Sequence, residues 1–254
     1  MKMFWYMKIF DCFTYFNESY LMSIRFEELN DVVDYFVVVE SSETFTGTPK
    51  PFYFDDLPKS WIEKYKNKII RVKIDFPYKD MSSWEREYYQ RNQIIRGLKS
   101  AKKKDLIIIS DADEIVNRNV FGKLRKIKSP IRIDVKQYFW NFNWQVPQHC
   151  NQGARPVACR YKDLIQTSAQ TLRADTTNII SDGGWHFSFL GQPELIKNKI
   201  EAFAHTEYNA QEYKDTQKIL YRIENGIDPF DRFPLKYYDI SNTYPIWFKD
   251  NFLD

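Results

Sequence analysis

Leu106-Ile107-Ile108-Ile109-Ser110-Asp111-Ala112-Asp113-Glu114 joins a purely apolar run to an acidic cluster. Four apolar residues without polar alternation mark a strand buried on both faces, the habit of parallel strands in α/β proteins. In an open α/β sheet ligands bind outside the carboxyl ends of the strands, and there the chain sets Asp111, Asp113 and Glu114. Carboxylates this close repel one another unless a cation or donor groups hold them. A divalent ion with hard oxygen ligands, Mn²⁺ or Mg²⁺, answers that repulsion and keeps positions open for a substrate diphosphate. The competing reading is the acidic first turn of a helix beginning near Asn117, where the macrodipole also favours carboxylates.

Outward from this stretch, short apolar runs alternate with helical periodicity, the pattern of βαβ units. Met7–Phe13, Tyr35–Val39 and Ile69–Ile74 are the other expected strands, and Leu21, Ile24, Leu29 and Val32 recur near the helical period within 18–33. Trp84 to Leu98 forms a helix capped by Ser82 or Ser83, with Glu85 and Glu87 in its first turn. Arg91 falls on its apolar stripe of Trp84, Tyr88, Ile95 and Leu98, so its guanidinium points inward and requires a carboxylate or an anionic ligand. The irregular segment Ser41–Pro58 is long enough to be functional, and with Asp182–Ser188 it is expected to form the mouth of the site. After residue 115 the pattern is less regular, with mixed β around Arg132–Trp144 and a helix over Pro193–Phe203.

With 254 residues, 43% of them hydrophobic, the chain suits one domain, 1–254. Its 37 basic and 34 acidic side chains are scattered without a polybasic arm, which argues against nucleic acid as a partner. The aromatic start runs into Asp11-Cys12 without a basic region or cleavage site, and no stretch approaches the roughly 20 apolar residues of a membrane span. A cytoplasmic location with reduced thiols is expected, since three cysteines at Cys12, Cys150 and Cys159 make no framework, although a Cys150–Cys159 bridge stays open.

Asp113 alone makes a poor metal site, so imidazoles are sought. His186 follows Gly183-Gly184-Trp185 and His205 follows the last expected helix, and either is a candidate ligand; His149 has no such context. Asp11–Glu18, Val37-Val38-Val39-Glu40, Thr44–Pro51, Trp84–Asn92, Ser110–Ile115 and Gly184–Ser188, taken in order, resemble the motifs of glycosyltransferase family 17. The resemblance runs from about residue 8 to 210 and is weak between 145 and 178.

That resemblance implies a UDP-sugar donor, commonly UDP-GlcNAc, a divalent cation (Mn²⁺ or Mg²⁺), a glycan or glycoconjugate acceptor, and inversion at the anomeric carbon. No membrane anchor or stem of the kind the animal members carry is seen. The expected architecture is a GT-A-like, Rossmann-related α/β domain with a mostly parallel central sheet: residues 7–115 bind the nucleotide-sugar, and 116–254 carry a smaller mixed-β acceptor side. Inverting transfer is one in-line displacement, with a carboxylate taking the acceptor proton. Asp113 is then the direct metal ligand, Asp111 serves the ribose or a metal-bound water, and His186, or else His205, completes the ion. Arg86 and Arg91 match the diphosphate as forked donors, with Asn92 in reach of the nucleotide. Phe13, Thr14 and Glu40 stand at strand ends where base and ribose should lie. Asp182 is the first candidate base and Glu207 the second. Three other classes are weighed: a nucleotidyltransferase, disfavoured because Asp11–Glu18 contains no Gly, a metal-dependent hydrolase, disfavoured because the chain has only three His, and a non-catalytic carbohydrate-binding protein, which leaves the acidic cluster unexplained.

Overall fold

In the computed structural model, which describes residues 6–151, 155–241 and 243–251, the acidic cluster ends a strand at the centre of one large mixed sheet. The ends of the expected 1–254 domain lie outside the described residues. The strands are β1 (Ile9–Thr14), β2 (Tyr35–Ser41), β3 (Ile69–Ile74), β4 (Leu106–Asp111), β5 (Glu114–Val116), β6 (Ile131–Phe139), β7 (Trp144–Gln145), β8 (Val157–Arg160), β9 (Ile179–Ser188) and β10 (Lys236–Tyr237). The helices are α1 (Ser19–Leu29), α2 (Lys59–Tyr65), α3 (Ser83–Asn92), α4 (Phe121–Leu124), α5 (Tyr161–Leu164), α6 (Ala169–Asp175), α7 (Pro193–Ala202), α8 (Gln211–Lys214), α9 (Thr216–Glu224) and α10 (Trp247–Asn251).

The order is β10-β7-β6-β8-β4-β1-β2-β3, with β9 pairing both β6 and β5. β4, β1, β2 and β3 are parallel, as the apolar runs imply. The mostly parallel character does not extend further. β8 lies antiparallel to β4 and β6, β7 to β6 and β10, and β5 to β9, with β6·β9 the one parallel pair of that half among the described residues. Only parallel neighbours need long crossovers, and the second half joins its strands largely by turns and short helices. The boundary expected near 115 falls within β5, whose partner β9 belongs to the second half, so the sheet is continuous across it.

Successive residues of a buried strand feed opposite layers. Ile9, Phe13, Val38 and Ile108 pack with α1 on one face, while Phe10, Cys12, Val39 and Ile109 pack with Ile94 and Leu98 on the other. A third cluster, of Phe139, Phe189, Ile196, Ile219 and Phe230, supports the far end. Cys12, Cys150 and Cys159 are free thiols. Among the described residues no helix is long and apolar enough to cross a membrane.

Helix α3 differs from expectation in the face it buries. Ser82 and Glu85 form the capping box, but the helix turns inward Arg86, Gln90 and Arg91. Gln90 repays burial by donating to the Val39 carbonyl at 2.9 Å and accepting from Ser41 at 2.9 Å. Trp84 and Tyr88 of the expected stripe face a groove instead. The acidic cluster is likewise not a helix N-terminus, because Glu114 opens β5.

Candidate active site

Arg25, wholly buried on α1, fixes the acidic turn. Its guanidinium grips Asp11 through two bonds of 2.7 and 2.6 Å and the Ser110 hydroxyl at 2.5 Å. It also donates to the carbonyls of Asp111, Ala112 and Glu114 at 3.0, 3.3 and 2.9 Å. A fork with five donors is the side chain that can saturate such a turn.

The three carboxylates therefore have different fates. Glu114 is consumed by structure: it accepts from Arg173 at 2.5 and 3.0 Å and from the backbone amides of Asp111 and Arg155 at 2.8 and 2.9 Å. Asp111 stands beside Thr14 across β1 and β4, takes its hydroxyl at 3.1 Å, and is clamped by Arg91 at 3.1 Å and Arg173 at 2.9 Å. Enclosure would raise its carboxyl, but the guanidiniums of Arg173 and Arg91 prevail and hold it well below the usual range.

Asp113 faces a different pair. Lys199 Nζ of α7 lies at 2.8 Å and His186 Nε2 of β9 at 3.3 Å from Asp113 Oδ2, and Lys199 also reaches Glu18 at 3.4 Å. Burial opposes the charged carboxylate, yet Lys199 and His186 keep it strongly acidic. Burial also pulls the imidazole down, and the Asp113 charge more than offsets it, so the His186 pKa is raised.

These side chains meet where two cavities join. The smaller, about 180 Å³, is lined by Thr14, Tyr15, Phe16, Ser41, Gln90 and Asp113 among others. The larger, about 910 Å³, has aromatic walls that include Trp84, Tyr88, Phe203 and Tyr208. Glu87, Arg91, Asp111, His186, Lys199 and Phe203 border both.

Among the described residues no group of three His, Cys, Asp or Glu side chains is arranged to hold an ion. Asp113 and His186 nonetheless offer one oxygen and one nitrogen on one side, and the buried His186 Nδ1 has no hydrogen-bond partner. Two such donors fit Mn²⁺ or Mg²⁺ completed by substrate phosphates and water, and do not make a closed cage.

Thr14, Arg91, Asp111, Asp113 and His186 thus come together, and Arg91 is buried against Asp111 and Glu87, as its place on the helix implies. The other candidates lie apart. Phe13 is fully buried beneath the Arg25 guanidinium, 4.1 Å from its ring centre, and has no face left for a base. Glu40 is spent on Lys50, Arg71 and the amide of Phe54. Arg86 is buried against Glu43 at 2.6 Å and the Lys79 carbonyl at 2.9 Å, so it clasps a loop and does not line either cavity. Asn92 accepts from the Gln170 amide at 3.0 Å, bracing α3 to α6.

Asp182 is exposed near the start of β9, four residues before His186. It lies in a bulge of that strand with a φ of 53° and lines neither cavity, so the structure does not bring it beside Asp113. His205 is not beside Asp113; it lines only the larger groove, edge-on to Trp84 at 4.5 Å and hydrogen-bonded to Glu207 at 2.6 Å. Glu207 is more than half exposed and reaches that groove only through His205. Sequence reasoning missed Tyr15, Glu87, Arg173 and Lys199. For Glu87 a signal existed, since it precedes Arg91 by one helical turn.

The profile described as Glycosyltransferase family 17 matches residues 3–242. The chain is similar to beta-1,4-mannosyl-glycoprotein 4-beta-N-acetylglucosaminyltransferase of Homo sapiens, with 33% identity over 141 residues, or 52% of this chain and 26% of that protein. The Rattus norvegicus and Mus musculus proteins of the same name match over the same span at 33% and 32%. The alignment thus covers about a quarter of those relatives' length. With the family profile extending over nearly all of its residues, the chain belongs to glycosyltransferase family 17.

Proposed function

We propose that the protein transfers a sugar, with N-acetylglucosamine the first choice, from a UDP-sugar to a hydroxyl of a glycan acceptor, with inversion and with the aid of Mn²⁺ or Mg²⁺, on a fold of GT-A type. The observation that carries this reading is the junction of two cavities at Asp111, His186 and Lys199, one narrow beside the strand ends and containing Asp113, and one broad with aromatic walls. The narrow cavity, formed mainly by residues 7–115, suits the nucleotide: Thr14, Ser41 and Gln90 offer polar contacts and Tyr15 and Phe16 flat surfaces. The groove, formed largely by residues 116–254 with Trp84 and Tyr88, suits the acceptor, because sugar rings stack on aromatic faces. The similarity to proteins named as N-acetylglucosaminyltransferases supports the choice of N-acetylglucosamine as the sugar transferred.

Asp113 and His186 would hold the cation, which when bound stabilises the charge gathering on the departing diphosphate. Lys199 and Arg91 border both cavities and would contact the phosphates directly. In the transfer the anomeric carbon–phosphate oxygen bond breaks as the acceptor oxygen attacks from the opposite face, and the acceptor proton passes to a carboxylate. Glu87 is the best-placed base, since it borders both cavities and has a single arginine partner, whereas Asp111 has two.

Acceptor-dependent UDP release tests the reading, with a panel of UDP-sugars, N-glycan and simple glycoside acceptors, and Mn²⁺ or chelator. Release that requires acceptor and is greatest with UDP-GlcNAc is the expected result. Absence of release with every UDP-sugar from a folded protein would overturn the donor assignment, and undiminished release in chelator would overturn the metal.

A further inference from the structure

At the end of the sheet opposite the site, the loops before β4 and β6 and the turn after β8 converge. They carry Lys102, Lys103, Lys104, Lys128 and Lys162, all exposed around a concavity of about 1040 Å³. Arg160 draws the three segments together, donating to the carbonyls of Lys104, Arg125 and Ile127 at 3.1, 2.8 and 3.0 Å. The Lys162 amide adds a bond to the Lys103 carbonyl at 3.1 Å. Among the described residues, Asp105 and Asp163 make no ion pair with Lys103, Lys104, Lys128 or Lys162. Asp105 is buried and accepts the amides of Lys8 and Lys102 at 3.0 and 2.8 Å, and Asp163 caps the Arg160 amide at 3.1 Å. A scaffold that holds like charges together and spends its acids on backbone amides accepts repulsion unless an anionic partner relieves it.

We propose that this pole docks the protein on an anionic lipid surface, with the catalytic junction turned away from the bilayer. Exposed lysines are compact charges on apolar stems, suited to a diffuse layer of headgroups. The Arg160 fork that lines the concavity is occupied by carbonyls, so it offers no bidentate phosphate recognition. Tyr6, 69% exposed, and the partly exposed Met7 and Ile127 stand among the lysines, as aromatic and apolar residues do at a membrane interface. The rest of the molecule complements the pole: net charge is only +3, so much of the remaining surface is neutral or acidic and the anionic layer would orient the protein by one end. β4 separates the pole from Asp111 by about 20 Å, which leaves both cavities open to solvent.

Flotation of the full chain with phosphatidylcholine vesicles, with and without phosphatidylserine, tests the proposal. Binding only to the anionic vesicles, weakened by high salt, is expected. The combined Lys103→Gln, Lys104→Gln and Lys128→Gln variant should lose about 100-fold in partitioning. Lys59→Gln, Lys218→Gln and Lys236→Gln together, equal in charge but at exposed positions outside the pole, should bind nearly as wild type. Neither variant should alter UDP release with a soluble acceptor. Equal binding to neutral vesicles, equal loss in both variants, or displacement by a single-stranded oligonucleotide at similar concentration would overturn the proposal, the last in favour of a nucleic-acid surface.

Discussion

Replacing Arg25 by Lys leaves one charge but removes the fork that reaches Asp11, Ser110 and three carbonyls at once. Because the pair with Asp11 is fully buried, we expect Arg25→Lys to cost about 3–5 kcal/mol, read as a lower denaturation midpoint with an unchanged m-value. Asp113→Asn should behave differently, since it removes a charge at the cavity and not the turn's support. Turnover should fall by about 100-fold or more while circular dichroism stays that of the folded protein, and wild-type turnover would refute the assignment. Asp111 carries a pH signature. Its folded pKa, lowered to about 2, lies below the unfolded value, so it contributes stability that is fully present above about pH 4 and lost as pH falls toward 2. The acid limb of a stability–pH profile should therefore flatten in Asp111→Asn, as urea titrations from neutral to acid pH can check.

Helix α7 serves the site at two places. Lys199 meets Asp113, and the carbonyls of Glu201 and Ala202 near its end accept from Thr46 at 2.9 Å and Phe45 at 3.1 Å. The Ser41–Pro58 segment is thus fastened to α7 and, through Glu43, to Arg86. Glu43→Ala should loosen it: amide exchange across Thr44–Thr48 should quicken, and KM for the donor should rise by about 3–10-fold with little change in kcat. Unchanged exchange would show that the contacts to α7 suffice alone. This element also marks where sequence reading fails. The four parallel strands are legible as apolar runs, and the Ser82–Glu85 cap and inward Arg91 from local spacing, because each is encoded within a few residues. Lys199 looks like any solvated lysine on an amphipathic helix, and its role exists only through Asp113, 86 residues away. The same limit hid which carboxylate of the cluster would be structural, since Arg173 lies 59 residues beyond Glu114.

At the scale of the whole molecule, the cavity proposed for the donor is built from both halves of the chain, with Thr14, Gln90 and Asp111 from the first and His186 and Lys199 from the second. Ligand binding should therefore stabilise the domain globally. UDP with Mn²⁺ at 100 times its Kd is expected to add about 2.7 kcal/mol, seen as one cooperative shift in thermal unfolding that Asp113→Asn reduces. A shift equal for Mn²⁺ alone and for both together would place the ion elsewhere.

The reach of the contacts that shape the acidic turn has a kinetic consequence. Arg25 must find carbonyls 86 to 89 residues along the chain, and Lys199 must find Glu18 across 181. Loop closure over such separations is slow relative to forming helices or the first parallel pairs, because the entropy is lost before the contact rewards it. The Asp111–Asp113 pocket is therefore a late acquisition, completed only after most of the backbone is in place, and a chain stalled short of that point presents secondary structure without a site.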